Sequence, residues 1–125
     1  MDRLLALIVE DEHNLSIVFE RALQGAGFET EVICSGDTAM TWLSVEVPDV
    51  VLLDLHLPLV PGIDILRYIR AEPRLTDVRV AVITAYHNLA AEVEGEVDMV
   101  LLKPLTYGQL CEAMEQLKGL LGTAS

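Results

Sequence analysis

The sequence has few cysteines, few basic residues and no long hydrophobic run, and each shortage excludes a class of protein. Its two cysteines, Cys34 and Cys111, lie far apart and form no C-x-x-C motif. We therefore expect small buried thiols of a reduced cytosolic protein rather than a disulfide or a metal pair. Eight basic residues against 20 acidic ones give a net charge of −12, which argues against direct binding to nucleic acid or an anionic membrane.

The hydrophobic residues are plentiful but divided into short runs. Each run is far too short to span a bilayer, and the beginning, MDRLLALIVEDE, meets two acids too early for a secretory signal. A hydrophobic content of 52% over 125 residues excludes disorder and predicts one domain, residues 1–125. We expect this domain to be cytoplasmic.

Strand patterns recur five times along the chain. Four are apolar runs, typical of strands that are buried on both faces, and they lie at residues 4–9, 50–54, 78–83 and 99–102. The fifth, residues 28–33, alternates apolar and acidic side chains, which is typical of an edge strand. Helical patterns fill the intervals between these strands.

The helices that these patterns predict differ in strength. The first begins at Asn14 as N-cap, and the second is capped by Ser35 and carries apolar residues as far as Val47. Residues 88–97 are weakly helical, while the last helix carries an apolar stripe that starts at Tyr107. This repetition predicts an α/β fold, a doubly wound five-stranded parallel sheet in the order 2-1-3-4-5, flavodoxin-like, with five helices of which the fourth is short.

Polar side chains stand at the end of four strands. Glu10 and Asp11 follow the first, Asp54 the third, Thr84 the fourth and Lys103 the fifth. The carboxyl ends of parallel strands form one crevice, so these groups should converge. Carboxylates about 4 Å apart repel each other by roughly 1–4 kcal/mol, which Mg²⁺ or Mn²⁺ relieves. Asp54 can then attack phosphorus, while the metal, Lys103 and Thr84 each hold one phosphoryl oxygen.

With these residues the chain resembles a response-regulator receiver domain over essentially its whole length. The resemblance also rests on four neighbours of the site residues, namely Pro58, Gly62, Ala85 and Pro104. It implies a cis peptide bond between Lys103 and Pro104. It implies that a sensor histidine kinase or a phosphotransfer protein phosphorylates Asp54, and that phosphorylation switches binding to a downstream effector protein or domain. Beyond self-phosphorylation and self-dephosphorylation, no enzymatic activity is implied.

The resemblance gives each site residue a role. The metal, Mg²⁺ with Mn²⁺ as a substitute, would be bound by Asp11, Asp54 and the backbone carbonyl of His56, with Glu10 assisting through water. Lys103 would pair with the phosphoryl group, and Thr84 would move toward it as the switch. Tyr86 either shields the phosphoryl group from water or packs against the fourth helix. Homodimerisation through the fourth and fifth helices is common in the family.

The chain departs from the family pattern in three features. Val100 stands where family members carry Tyr or Phe, Glu96 and Val97 replace the usual Gly-Ala, and Pro61 replaces an acid. The span between Thr84 and Lys103 is also roughly one helical turn short. The first two departures lie on the surface through which the family reads out phosphorylation, so the transmission of the signal should differ here.

Three other functions remain open from the sequence. A haloacid-dehalogenase-like phosphatase shares the strand-end aspartate, but it needs a second acid where His56 stands. A flavodoxin-type carrier shares the topology, but residues 10–12 place three acids where a phosphate-binding loop is needed. The third alternative is a degenerate receiver that binds partners without phosphorylation, which Val100 favours and the complete set of acids, Thr84 and Lys103 disfavours.

Overall fold

A computed structural model describes residues 3–121 of the chain. Its centre is one parallel sheet with the strand order β2-β1-β3-β4-β5. The strands are β1 (Leu4–Val9), β2 (Phe28–Ile33), β3 (Val50–Asp54), β4 (Arg79–Thr84) and β5 (Met99–Leu102). The predicted order is confirmed, and each strand lies within one residue of its expected bounds.

Four α-helices connect the strands of the described chain, and a fifth follows β5. They are α1 (His13–Gly25), α2 (Gly36–Leu43), α3 (Gly62–Ala71), α4 (His87–Val93) and α5 (Tyr107–Leu120). Single 3₁₀ turns follow α3 and α4, at Pro73–Leu75 and Glu94–Glu96. With seven residues, α4 confirms the short fourth helix. None of the helices within residues 3–121 is long and apolar enough to cross a membrane.

Helices cover the sheet on both sides, and the alternation of side chains along the strands explains why. Successive residues of a strand point to opposite faces. Leu7 and Val9 of β1 therefore pack in the layer that contains α2 and α3, while Ala6 and Ile8 pack in the layer that contains α1 and α5. All four side chains are fully buried. The central strands are apolar on both faces because neither face meets water.

Two apolar positions that the sequence places in the core are exposed instead. α2 ends before Val47, which is 52% exposed. The chain has to leave the helix early because Asp49 is tied to β1: its N–H donates to the Leu5 carbonyl, and its Oδ2 accepts the Leu5 N–H, both at 2.8 Å. Tyr107 is 51% exposed, so the buried stripe of α5 begins at Leu110.

Two further expectations are wrong in detail. α1 begins at His13, and Glu12 rather than Asn14 occupies the N-cap position. The Glu10 carboxylate accepts the Glu12 N–H at 3.1 Å, which holds Glu12 in the extended conformation that precedes the helix. Cys34 is exposed rather than buried, because it lies just beyond the end of the edge strand β2.

Candidate functional site at the carboxyl edge of the sheet

The carboxyl ends of β1, β3 and β4 lie side by side, and Asp54 lies in the middle of this edge. Asp54 is the last residue of β3 and is in register with Ile83 of β4. The four apolar residues before it are fully buried, and Asp54 itself is 3% exposed. Burying each of these Val and Leu side chains stabilises the fold by about 1.5–3 kcal/mol, so the core fixes the position of the carboxylate.

Three carboxylates converge at this edge. Glu10 and Asp11 follow β1, and each of them, like Asp54, contributes an oxygen to a cluster whose atoms all lie within 4.8 Å of one another. Glu10 and Asp54 are buried, whereas Asp11 is exposed. The structure thus brings together the three acids that the sequence places at neighbouring strand ends.

Glu10 is the least compensated of the three acids. Its Oε2 accepts the Glu12 N–H at 3.1 Å, but its buried Oε1 has no hydrogen-bond partner among residues 3–121. Burial raises the pKa of Glu10 to about 8. The Glu12 N–H and Lys103 oppose this rise, and the neighbouring Asp54 adds to it. A buried carboxylate oxygen without a partner is costly, and a cation is one group that would satisfy it.

Lys103 brings an ammonium group to the acids. Its Nζ lies 3.4 Å from Asp54 Oδ2, and its backbone N–H donates to the Thr84 carbonyl at 2.9 Å. The bond between Lys103 and Pro104 is cis, as the resemblance implies. One ammonium group faces three acidic groups, so the acids outnumber the base. This donor set, made of carboxylate oxygens, fits a hard divalent cation.

Thr84 lies behind the wall of the site rather than in it. The residue is 1% exposed, and its Oγ1 accepts the Tyr86 N–H at 3.0 Å. Because the hydroxyl oxygen is the acceptor in this bond, the O–H remains a donor for another group. Thr84 is therefore next to the site, with its hydroxyl held by the backbone that leaves β4.

His56 and Tyr86 lie over the acids. The His56 N–H donates to Asp54 Oδ1 at 2.8 Å, and the ring centroids of His56 and Tyr86 are 5.4 Å apart with planes tilted by 47°. Tyr86 is 48% exposed. Tyr86 lies both at the site cavity and at the N-cap of α4, so shielding and packing against this helix both stay predictions. The sequence signal for this pair is spacing, since His56 and Tyr86 each follow a site residue, Asp54 or Thr84, by two positions.

Together these groups surround an open cavity of about 540 Å³. Its lining consists of Glu10, Asp11, Glu12, Asp54, His56, Ala85, Tyr86 and Lys103. Glu12 is absent from the predicted site, because it acts on Glu10 through its backbone N–H and no side-chain pattern reveals such a contact.

Gly62 allows α3 to begin directly against this edge. A Cβ atom at Gly62 would lie 2.6 Å from the Asp54 carbonyl oxygen and 2.7 Å from the Leu55 Cα atom. Backbone atoms cannot move aside as the end of a flexible side chain can. The approach of α3 to the loop after Asp54 therefore requires glycine at this position.

A parallel sheet in this order, with three acids and a lysine at its carboxyl edge, defines the receiver class of signalling domain. The chain belongs to the response regulator receiver domain family, whose sequence model matches residues 6–115. It is 36% identical over 98 residues to the DNA-binding response regulator MtrA of Mycolicibacterium paratuberculosis, covering 78% of this chain and 44% of that protein. It is 32% identical over 120 residues to the phosphate regulon transcriptional regulatory protein PhoB of Rhizobium meliloti, covering 94% and 52%. The chain thus spans about half the length of these relatives.

Solved structures agree with this family. A CheY-like response regulator receiver domain from Methylobacillus flagellatus superposes with a TM-score of 0.80 at 27% identity, covering 93% of this chain and 99% of that chain. The Mn²⁺-bound form of response regulator Rcp1 superposes with a TM-score of 0.78 at 26% identity, covering 99% and 98%. The predicted fold class is confirmed.

Proposed function

We propose that the chain is a phosphoacceptor receiver in which Asp54 takes a phosphoryl group from a sensor histidine kinase or a phosphotransfer protein. The observation that carries this proposal is the convergence of three carboxylates and one ammonium group around the strand-end Asp54. Membership in the receiver family supports the same role. Because a cavity opens onto Asp54, a donor can reach the carboxylate while the rest of the strand stays buried.

The proposed step is a transfer between two nucleophiles. A carboxylate oxygen of Asp54 attacks phosphorus, the new P–O bond forms, and the P–N bond to the donor imidazole breaks. The electron pair of the broken bond stays on the imidazole nitrogen, and nothing is oxidised or reduced. Such a transfer requires alignment and stabilisation of the phosphoryl oxygens more than covalent help from the protein.

We assign the metal ligands by the same proposal. Asp11, Asp54 and the backbone carbonyl of His56 would hold Mg²⁺, or Mn²⁺ in its place, and Glu10 would assist through water. The orphaned oxygen of Glu10 and the carboxylate spacing support this assignment. When bound, the cation supplies positive charge to the phosphoryl oxygens during transfer. The acids of the chain position the cation, and their negative charge offsets its positive charge.

Lys103 and Thr84 couple the phosphoryl group to the rest of the fold in this proposal. Lys103 already lies 3.4 Å from Asp54 Oδ2, and the O–H of Thr84 can donate to a phosphoryl oxygen. Phosphorylation adds negative charge that attracts both groups and shifts the population of two conformations. The shift changes affinity for an effector protein or domain in the cytoplasm, and a homodimer through α4 and α5 remains a prediction.

The alternative is a degenerate receiver that binds partners without phosphorylation. Val100 of β5 favours it, because a half-buried valine packed against the core cannot act as the aromatic partner of a moving threonine. The complete set of acids, Thr84 and Lys103 disfavours it. The two functions differ in one measurable property, which is covalent phosphorylation of Asp54.

The test is intact-mass spectrometry after incubation with acetyl phosphate, with and without Mg²⁺. We expect the wild-type protein to gain the mass of one phosphoryl group in Mg²⁺ only, and Asp54→Asn to gain none. Asp64→Asn, an exposed acid of α3, is the matched control and should be labelled like the wild type. A labelled Asp54→Asn protein contradicts the assignment of the acceptor, and an unlabelled wild-type protein supports the degenerate receiver.

A further inference from the structure

A second charged cluster lies at the opposite end of the sheet, where β4 and β5 begin. Asp98 precedes β5, and its carboxylate accepts three hydrogen bonds. Oδ2 accepts the Val80 N–H at 2.8 Å and Arg70 Nη2 at 3.0 Å, while Oδ1 accepts Arg79 Nη1 at 3.1 Å. Only 17% of the Asp98 side chain is exposed. These bonds fasten the start of β5 to the start of β4.

Arg70 extends the same cluster to two further segments. From the last turn of α3, its Nε donates to the Glu96 carbonyl at 2.7 Å and its Nη1 to the Val78 carbonyl at 2.9 Å. The guanidinium group is a planar fork, so each additional bond costs little further side-chain freedom. We call Arg70, Arg79 and Asp98 the arginine clamp. It joins α3, the Glu94–Glu96 turn, β4 and β5.

The helix just before this turn is held much more weakly. Arg67 of α3 reaches Glu92 and Glu96 at 3.7 Å, and more than half of the Arg67 and Glu92 side chains is exposed, where solvent screens ion pairs. Within α4, only Ala90 and Val93 are buried. Residues 85–93 follow Thr84 directly, so the loosely held segment begins at the site and ends at the clamp.

We propose that the arginine clamp stops the response of residues 85–93 to phosphorylation at the Glu94–Glu96 turn, so that it does not pass from there into β5. The inference rests on the proposed function, since it needs a phosphoryl group at Asp54. A change there reaches residues 85–93 through the hydrogen bond between Thr84 and Tyr86. It stops at Glu96, because Arg70 holds the carbonyl of that residue.

The clamp explains why β5 can carry Val100 in place of an aromatic residue. A strand that stays fixed during the response needs no ring that moves with Thr84, and Val100 is half-buried against the core. The surface that changes on phosphorylation, and that an effector would recognise, is then the loop after β4 together with α4. Arg70, Arg79 and Asp98 are positioning residues, since they act on this segment through its far end.

Amide hydrogen exchange of the wild-type protein tests the proposal directly. Beryllofluoride with Mg²⁺ serves as the probe, because it adds to an aspartate carboxylate in the geometry of a phosphoryl group. We expect the probe to change exchange within residues 85–93 and to leave residues 96–101 unchanged. A change at residues 96–101 as large as that at residues 85–93 overturns the proposal.

Two variants of α3 test whether Arg70 limits the response or only stabilises the fold. In Arg70→Met the probe-dependent change should spread into residues 96–101, with exchange there altered by about tenfold or more. Arg67→Met, on the same helix, is the matched control and should keep the response confined. The readout is the difference in amide exchange with and without the probe. A loss of stability alone changes exchange equally in both samples and leaves this difference unaltered. A confined response in folded Arg70→Met contradicts the proposal, and Asp98→Asn serves as second variant if Arg70→Met does not fold.

Fluorine NMR of the same samples distinguishes a failure of the proposed function from a failure of the arginine clamp. A bound beryllofluoride signal shows that Asp54 accepts the probe, and its absence in the wild-type protein contradicts the proposed function itself. A bound signal together with a response that extends through residues 96–101 overturns only the clamp. A bound signal without any change in residues 85–93 also overturns it, because there is then no response to confine.

Discussion

The arginine clamp and the carboxyl-edge site lie at opposite ends of the parallel sheet, and they surround partly or fully buried acidic side chains with opposite balances of charge. At the amino end, one carboxylate, Asp98, faces two guanidinium groups and a backbone N–H. At the carboxyl end, three carboxylates face one ammonium group, and one oxygen of Glu10 has no partner among residues 3–121. The sign of the imbalance is reversed from one end to the other.

The pKa values follow this reversal. Burial alone would raise the pKa of Asp98, but the Val80 N–H and the two arginines more than offset it and hold the pKa below its usual range. Burial raises the pKa of Glu10 to about 8, and Asp54 adds to the rise. An acid that is satisfied within the fold stabilises it, whereas an unsatisfied buried acid destabilises it until something binds. We therefore expect stability to depend on the amino end and ligand binding on the carboxyl end.

The largest expected effect comes from breaking the satisfied end. Asp98→Asn leaves two partly buried guanidinium groups without their carboxylate, which should lower the free energy of unfolding by about 2–4 kcal/mol. Urea denaturation measures it. Asp77→Asn, an exposed acid beside the same cluster, is the control and should stay within about 0.5 kcal/mol of the wild type. Equal effects of the two substitutions would contradict the stabilising role of Asp98.

At the carboxyl end, close packing of the backbone rather than charge pairing should limit stability. Gly62→Ala introduces a Cβ atom 2.6 Å from the Asp54 carbonyl oxygen, so the loop or α3 must shift at a cost of about 1–3 kcal/mol. Gly95→Ala, in the turn beside the clamp, meets nothing within 4 Å and should be close to neutral. Thermal unfolding compares them, and a neutral Gly62→Ala would contradict the close approach.

Acid should weaken the satisfied end by a smaller, graded amount. The pKa of Asp98 is lower in the folded state than in the unfolded state, so its contribution is fully present above about pH 4 and is lost as the pH falls through the folded value. The stability difference between the wild type and Asp98→Asn should therefore shrink below about pH 4. Denaturation curves at successive pH values test this, and a difference that stays constant into acid would rule it out.

The smallest effect is expected for the exposed ion pairs of α3. Arg67 contacts Glu92 and Glu96 at 3.7 Å with much of all three side chains in solvent. Arg67→Met should therefore change the free energy of unfolding by about 0–1 kcal/mol, well below the effect of Arg70→Met on the same helix. Urea denaturation of the two variants gives the comparison. If Arg67→Met lowers the free energy of unfolding as much as Arg70→Met does, the greater exposure of Arg67 does not explain a weaker contribution.

The carboxyl end could be predicted from the sequence, and the amino end could not, for a physical reason. Buried strands are visible as apolar runs, and the residue that ends a run is placed by the run itself, as Asp54 is. The contact between Arg70 and Asp98 spans 28 positions and depends on how α3 is rotated against the sheet. Polar residues on a partly exposed surface carry no periodicity that fixes such a rotation.

The differences at single residues have a similar physical cause. Val47 continues the apolar period of α2, but the tie between Asp49 and Leu5 ends the helix earlier. Tyr107 fits the stripe of α5 by spacing, yet it is 51% exposed at the first turn. Periodicity predicts which side of a helix is apolar. It does not predict how far along the helix the neighbouring elements extend.

The measurement that most directly tests the contrast between the two ends is the stability of Asp11→Asn and Asp98→Asn with and without Mg²⁺. A ligand that binds the folded state stabilises it by about 2.7 kcal/mol at a concentration 100 times its Kd. We predict that Mg²⁺ stabilises the wild type and Asp98→Asn alike but not Asp11→Asn, which without the cation should be at least as stable as the wild type. The contrast is contradicted if Asp11→Asn keeps the full stabilisation by Mg²⁺. It is also contradicted if, without the cation, Asp11→Asn loses as much stability as Asp98→Asn.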